Sequence, residues 1–144
     1  MRVLHLDSGR EYRGGQDQVR LLARELGDAT ELEQCLATRR GSELARRVAA
    51  AGVRVRELPW TAGLDPRAWW RIVLEALTWR PAILHAHNAH AVTLAVWARR
   101  FLAWVGASVV PRIVATRRVT FPVGRASALR HVDHVIAISE AVRA

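Results

Sequence analysis

Arg2-Val3-Leu4-His5-Leu6-Asp7 runs directly into Ser8-Gly9-Arg10-Glu11-Tyr12-Arg13-Gly14-Gly15-Gln16, and this stretch decides how the rest of the chain is read. A short apolar run that ends in polar residues and glycine is the pattern of a strand buried in a parallel sheet. Adjacent glycines let a backbone approach a ligand closely, and a helix beginning near Gln16 presents unpaired amides to an anion. A diphosphate is the expected guest of Gly14 and Gly15. The plainer reading is a turn at a strand–helix junction. The loop is not G-x-G-x-x-G, so the dinucleotide fingerprint is missing. Asp7, at the strand end, either bonds a ligand hydroxyl or caps the turn.

Outward from this loop the chain alternates strand and helix. Residues 16–26 place Val19, Leu22, Ala23 and Leu26 on one helical face, with Gly27 as terminator. A second strand is predicted at 32–37. Ser42 caps a helix through Leu44, Ala45, Val48 and Ala49 that closes at Gly52. Residues 53–58 alternate apolar and polar, as a strand near a sheet edge does. Asp65-Pro66 opens a third helix whose buried stripe is expected to be Trp69, Ile72, Val73 and Leu77. Further strands are predicted at 82–86, 112–116 and 132–138, with a long helix at 89–105 and another capped by Ser139. The expected fold is α/β: a Rossmann-like three-layer α/β/α domain spanning 1–144, with a mostly parallel six-stranded sheet in the order 3-2-1-4-5-6. The stop at Ala144, soon after Ser139, reads as one half of a longer protein.

Composition narrows the function classes. A chain of 144 residues, 51% apolar, suits one domain with a sizeable core. The single cysteine, Cys35, excludes a disulfide framework and a multi-cysteine zinc site, and is expected to be a buried small hydrophobe. There is no signal-peptide layout at the start, and residues 89–110, the longest apolar stretch, are interrupted by Arg99 and Arg100, so a cytoplasmic protein is expected. The net charge is +9, yet all 22 basic residues are arginine, which points to coding bias in a GC-rich genome. No groove-reading or base-stacking motif accompanies the charge, so nucleic acid is not expected as a partner. A basic face resting on an anionic membrane surface is the other reading.

The residues with chemistry fall at predicted carboxyl strand ends. His85-Ala86-His87-Asn88-Ala89-His90 follows the fourth strand. Its spacing matches the zinc motif of metallo-β-lactamase-like hydrolases (His85, His87, His90), but Ala89 stands where that motif has aspartate. Strand alternation puts His85 and His87 on one face, with His85 expected as a satisfied core histidine and His87 and Asn88 at the strand tip toward a ligand. Arg117 and Arg118, after the fifth strand, suit a phosphate or carboxylate. Ser139 is first a helix cap and only secondarily a ligand group. Trp69, Trp70, Trp79, Trp97 and Trp104 lie on predicted helices and are expected in the core, whereas Trp60, in a loop, is the better stacking residue. Arg39-Arg40 after the second strand would suit the 2′-phosphate of NADP, an alternative that the missing fingerprint disfavours.

Four segments together resemble the N-terminal domain of family 4 glycosyltransferases of the GT-B fold. These are Val3-Leu4-His5-Leu6-Asp7 with Gly14-Gly15-Gln16; Arg80-Pro81-Ala82-Ile83-Leu84-His85-Ala86-His87-Asn88; Ile113-Val114-Ala115-Thr116-Arg117-Arg118; and Asp133-His134-Val135-Ile136-Ala137-Ile138-Ser139-Glu140-Ala141-Val142. The resemblance implies a retaining transferase that takes sugar from a UDP-, GDP- or ADP-sugar and passes it to a glycan or lipid-linked acceptor of the lipopolysaccharide or bacterial cell-envelope type. It implies no metal and no organic cofactor, the nucleotide-sugar being a substrate. Gly14-Gly15 would face the diphosphate-sugar, and His87, Asn88, Arg117 and Arg118 would line the acceptor side, with His87 and Arg118 as catalytic candidates. Arg118 stands where many members carry histidine, and arginine only donates. A C-terminal domain with paired glutamates would hold most of the donor, so this half alone is expected to be inactive.

Overall fold

The computed structural model describes residues 1–118 and 124–139. In chain order it contains β1 (Arg2–Asp7), α1 (Gly14–Gly27), β2 (Glu33–Arg39), α2 (Glu43–Ala50), β3 (Arg54–Leu58), α3 (Pro66–Trp79), β4 (Ile83–Ala86), α4 (Ala89–Trp104), β5 (Arg112–Arg117) and β6 (His134–Ala137), with a 3-10 turn at Ala128–His131. The strands form one parallel sheet in the order β3-β2-β1-β4-β5-β6, as expected.

Period-two alternation gives each sheet face its character. On one face Leu4, Leu6, Cys35, Ala37, Leu84, Ala86, Ile113 and Ala115 pack against α3 and α4. On the other, Leu36 meets Val19 and Ala23 of α1 and Leu44 and Val48 of α2. Toward β4 and β5 this second face turns polar, with His5, Asp7, His85 and Thr116. The apolar face supplies the main core, while the polar strip leads to the carboxyl edge.

The helix punctuation follows local chemistry. Ser42 Oγ accepts the Ala45 amide at 3.1 Å, and Asp65 Oδ1 accepts the Arg67 amide at 2.9 Å ahead of Pro66. Gly52 closes α2 at φ +82°, a left-handed position that suits glycine. α1 begins at Gly14 rather than Gln16, because Gln16 turns back and its Oε1 accepts the Arg13 amide at 3.2 Å. Gly27 is still helical, and Asp28 caps the end.

Three expectations about packing fail. Leu77 is exposed, and the stripe that α3 buries is Ala68, Ile72, Val73, Ala76 and Trp79. Trp60 is 1% exposed, its indole donating to the Gly63 carbonyl at 3.0 Å, so it is no stacking platform. The helical tryptophans divide: Trp79 is buried, whereas Trp70 and Trp97 are about half exposed and Trp104 is 81% exposed. The 3-10 turn had no counterpart in the sequence reading. The helix expected after Ser139 and the segment Glu140-Ala141-Val142 lie outside the described residues. No helix among the described residues is long and apolar enough to cross a membrane.

Candidate functional site

The carboxyl ends of β1, β4 and β5 meet the start of α1. Asp7 Oδ1 accepts the Gly9 amide at 2.8 Å and the Gln16 carboxamide at 3.3 Å, so Asp7 caps the turn. A Cβ on Gly9 would run into that same Gln16 side chain, which explains a glycine there. Asp7 Oδ2 is buried without a hydrogen-bond partner among the described residues. Burial pushes the Asp7 carboxyl up, against the opposing pull of the Gly9 and Gln16 hydrogen bonds and the Arg118 charge.

Gly14 and Gly15 form the first turn of α1, where amides lack intrahelical acceptors. Arg118, arriving from the end of β5, covers Gly15: an added Cβ would stand 2.6 Å from a guanidinium nitrogen. Its Nε donates to Gln18 Oε1 at 3.1 Å. Burial lowers the guanidinium from its ordinary range, and Asp7 partly restores it. Arginine stays charged through a shift of this kind.

On the other side of Arg118 lies a cavity of about 300 Å³. His87, Asn88, Thr116, Arg117 and Arg118 line its strand-end side, with Val92 and Leu129 as an apolar wall. The sequence-predicted acceptor set is thus brought together. Asn88 is also the cap of α4: its Oδ1 accepts the Ala91 amide at 3.0 Å and the Ser8 hydroxyl at 2.8 Å. That oxygen is committed to structure. Ser139, just past β6, is exposed and not among the residues lining this cavity.

Behind the cavity lie three histidines. His85 Nε2 and Thr116 Oγ1 are 2.8 Å apart, making His85 the satisfied core histidine expected. His87 is 2% exposed, and its Nε2 lies 3.1 Å from Nδ1 of His5. Burial pushes His5 down to about 4 and His85 down to about 3, and drives His87 well below the usual imidazole range. All three are neutral at pH 7, so His87 is an acceptor there rather than an acid. His90 is elsewhere, its ring lying over Gly63. The His85-His87-His90 zinc arrangement does not form, and the parallel sheet removes the metallo-β-lactamase-like alternative. Sequence reading missed His5 and Gln34; the only signal was a polar residue at an inward position of a strand. Arg39 donates to the Ser8 carbonyl at 3.1 Å, folding back on the β1 loop rather than standing free for a phosphate.

A six-stranded parallel sheet in this order, with a glycine turn at its carboxyl edge, is a Rossmann-like α/β domain. Residues 13–144 match the model of the glycosyl transferase 4-like domain, and the chain belongs to that family. Comparison with curated proteins finds no match. Among solved structures, the fold is similar to Alr3699/HepE of Anabaena in complex with UDP-glucose, with TM-score 0.73 and 16% identity over 99% of this chain and 39% of that one. A glycosyltransferase from Rickettsia africae gives TM-score 0.72 and 13% identity over 99% and 38%. The apo lipopolysaccharide outer core galactosyltransferase WaaB gives 0.63 and 12% over 99% and 41%. The chain spans about two fifths of each.

Proposed function

We propose that this chain is the acceptor-side half of a retaining glycosyltransferase that uses a UDP-, GDP- or ADP-sugar and a glycan or lipid-linked acceptor. The observation that carries this reading is the seating of Arg118 between the Gly14-Gly15 turn and the cavity. One charged donor borders both the place for a diphosphate and the place for an acceptor. The α1 amides and Arg118 would stabilise negative charge building on the leaving diphosphate. His87, neutral and held by His5, would accept a hydrogen bond from an acceptor hydroxyl. Arg117 would favour an anionic acceptor. A C-terminal domain of the same protein would hold the nucleotide, and the transfer step would use no cofactor. The neighbour complexed with UDP-glucose supports the donor class, and the lipopolysaccharide galactosyltransferase supports the acceptor class.

We further read the α3–α4 surface as the side facing an anionic membrane at its cytoplasmic face. Trp69, Trp70, Phe101 and Trp104 form a ridge with successive ring centroids 5.4 to 6.1 Å apart, and Arg67, Arg71 and Arg100 flank it. The exposed indoles of Trp70 and Trp104 beside these arginines suit the interfacial belt, with the half-buried Trp69 ring packed beneath them on the core.

The test uses the full-length protein with UDP-, GDP- and ADP-glucose and a lipopolysaccharide-derived acceptor. Transfer with retained anomeric configuration, read by NMR of the product, is expected from one donor. Binding of NADPH with no nucleotide-sugar turnover would overturn the reading.

A further inference from the structure

His5 on β1 and His85 on β4 are register partners in neighbouring parallel strands, and the two-residue period puts His87 on the same face one step toward the carboxyl edge. The three rings form a cluster with centroids 4.1 Å apart for His85 and His87 and 5.3 Å apart for each with His5. One ring nitrogen from each lies within 4.8 Å of the other two, and all three residues are buried.

Hydrogen bonds around the cluster fix the proton of His5. The Gln34 amide nitrogen donates to the Ala23 carbonyl, so Gln34 Oε1 is what faces His5 Nε2, at 3.3 Å. An oxygen only accepts; His5 therefore carries its proton on Nε2 and turns the lone pair of Nδ1 toward His87 Nε2. On His85, Nε2 is engaged by Thr116 Oγ1, leaving Nδ1 as the nitrogen with no partner among the described residues. An outer hydrogen bond on His5 with its lone pair turned inward is the arrangement that orients an imidazole toward a metal.

We propose that His5, His85 and His87 bind one divalent transition metal of the zinc class. Imidazole nitrogens suit zinc, cobalt, nickel and copper, and a donor set with no oxygen does not suit magnesium or calcium. Tetrahedral ligation at about 2.0–2.1 Å puts ligand nitrogens roughly 3.3 Å apart. The 3.1 Å between His5 Nδ1 and His87 Nε2 is close to that spacing; in the metal-free chain it is an N–H···N hydrogen bond donated by His87, and metal binding would move that proton to His87 Nδ1. The wider separations, up to 4.8 Å, would have to close by rotation of the rings on metal binding. Three protein ligands leave a fourth position, and His87 borders the cavity from which a water or a ligand oxygen would reach it. The site goes beyond the transferase reading but shares His87 with it: with metal bound, His87 has no lone pair left for the acceptor hydroxyl, so binding is read here without turnover.

The experiment uses the tag-free chain, stripped by chelator, and reads binding rather than activity. Titration with cobalt(II) is expected to give one equivalent bound, with the intense visible absorption of a low-coordinate nitrogen site that zinc then abolishes. Zinc is expected to remain at one per chain after gel filtration and to raise the thermal midpoint. His85→Gln and His87→Gln should each lose stoichiometric binding, and Gln34→Ala should weaken it by about 10- to 100-fold. His90→Gln and His134→Gln should bind as the unaltered chain does. An unaltered chain that leaves gel filtration without metal and gives no cobalt spectrum overturns the proposal without reference to any variant. So does binding that is lost in His134→Gln, or that survives the double change at His85 and His87.

Discussion

Arg118 lies on Gly15, so closely that the smallest side chain at residue 15 would have to displace a guanidinium nitrogen 2.6 Å away. The obstacle is the far end of a flexible side chain, so the backbone of α1 need not move. Alanine is also better than glycine in a helix, by roughly 1 kcal/mol in an interior position. Gly15→Ala is therefore expected to hold or raise the thermal midpoint while moving Arg118 off the glycine turn. In the full-length protein, under the proposed transferase activity, kcat/KM should fall at least tenfold, about 1.4 kcal/mol of transition-state stabilisation. Gly15→Val should be worse in turnover with folding intact. Unchanged turnover in both variants would remove the Gly15–Arg118 contact from the mechanism.

The three buried histidines make the metal-free chain sensitive to acid. Their pKa values are depressed in the fold, with desolvation the largest cause, so below about 6.5 the unfolded chain takes up protons that the native chain refuses. Stability is then undiminished above that value and falls as pH drops, at up to ~1.4 kcal/mol per pH unit per group. For His5 the fall continues to about pH 4, a loss on the order of 3 kcal/mol. Asp7, whose carboxyl is pushed up, works in the opposite direction in its own range. Urea midpoints at pH 7.5, 6.0 and 5.0 are expected to decline steadily, and His85→Gln should flatten the decline. A midpoint that is level across this range contradicts neutral burial.

The sheet order and nearly every strand could be read from the chain because parallel strands buried on both faces are short apolar runs between helix signals. Ser42, Asp65-Pro66 and Gly52 behaved as punctuation because caps act within a few residues of themselves. What failed depended on distance. Trp60 looked loop-exposed, but Asp65 gathers Thr61 and Arg67 around it and closes the loop, tucking the indole into the core. Trp97 and Trp104 looked like core on a helix that is apolar nearly all round, where periodicity cannot say which side meets the sheet. At the candidate site, His87, Asn88, Arg117 and Arg118 were singled out from their strand-end positions and line one cavity, and Gly14 and Gly15 from their place at the start of α1. His5 was not, since its partner is 82 residues away.

Asp65 holds that loop through two oxygens. Oδ2 accepts the Thr61 amide and hydroxyl at 3.0 Å, and Oδ1 accepts the Arg67 amide at the start of α3. The Arg67 guanidinium and these donors keep its carboxyl well below the usual range. Asp65→Ala removes the cap and leaves the Thr61 amide unpaired in a part-buried place. A loss of about 1–3 kcal/mol is expected, with increased Trp60 solvent access seen in fluorescence quenching. Asp65→Asn keeps a capping oxygen and should lose distinctly less. Equal losses would show that charge, not capping, sets the contribution.

The aromatic ridge separates membrane docking from folding. Trp104 is 81% exposed, so removing its indole takes little from the core, whereas Trp97 is 46% exposed. Trp104→Ala is expected to change stability by less than about 1 kcal/mol, as surface substitutions usually do, and Trp97→Ala, half-buried beside Trp69 and Leu94, by more. If the α3–α4 face rests on anionic lipid, both variants should bind phosphatidylglycerol vesicles more weakly than the unaltered chain. Arg100→Ala should lose affinity mainly at low salt, because its contribution is electrostatic and screened within roughly a Debye length. Neutral phosphatidylcholine vesicles should bind weakly throughout. Binding that ignores both tryptophans, or a chain that shows no preference for the anionic vesicles, rules out this face as the membrane contact.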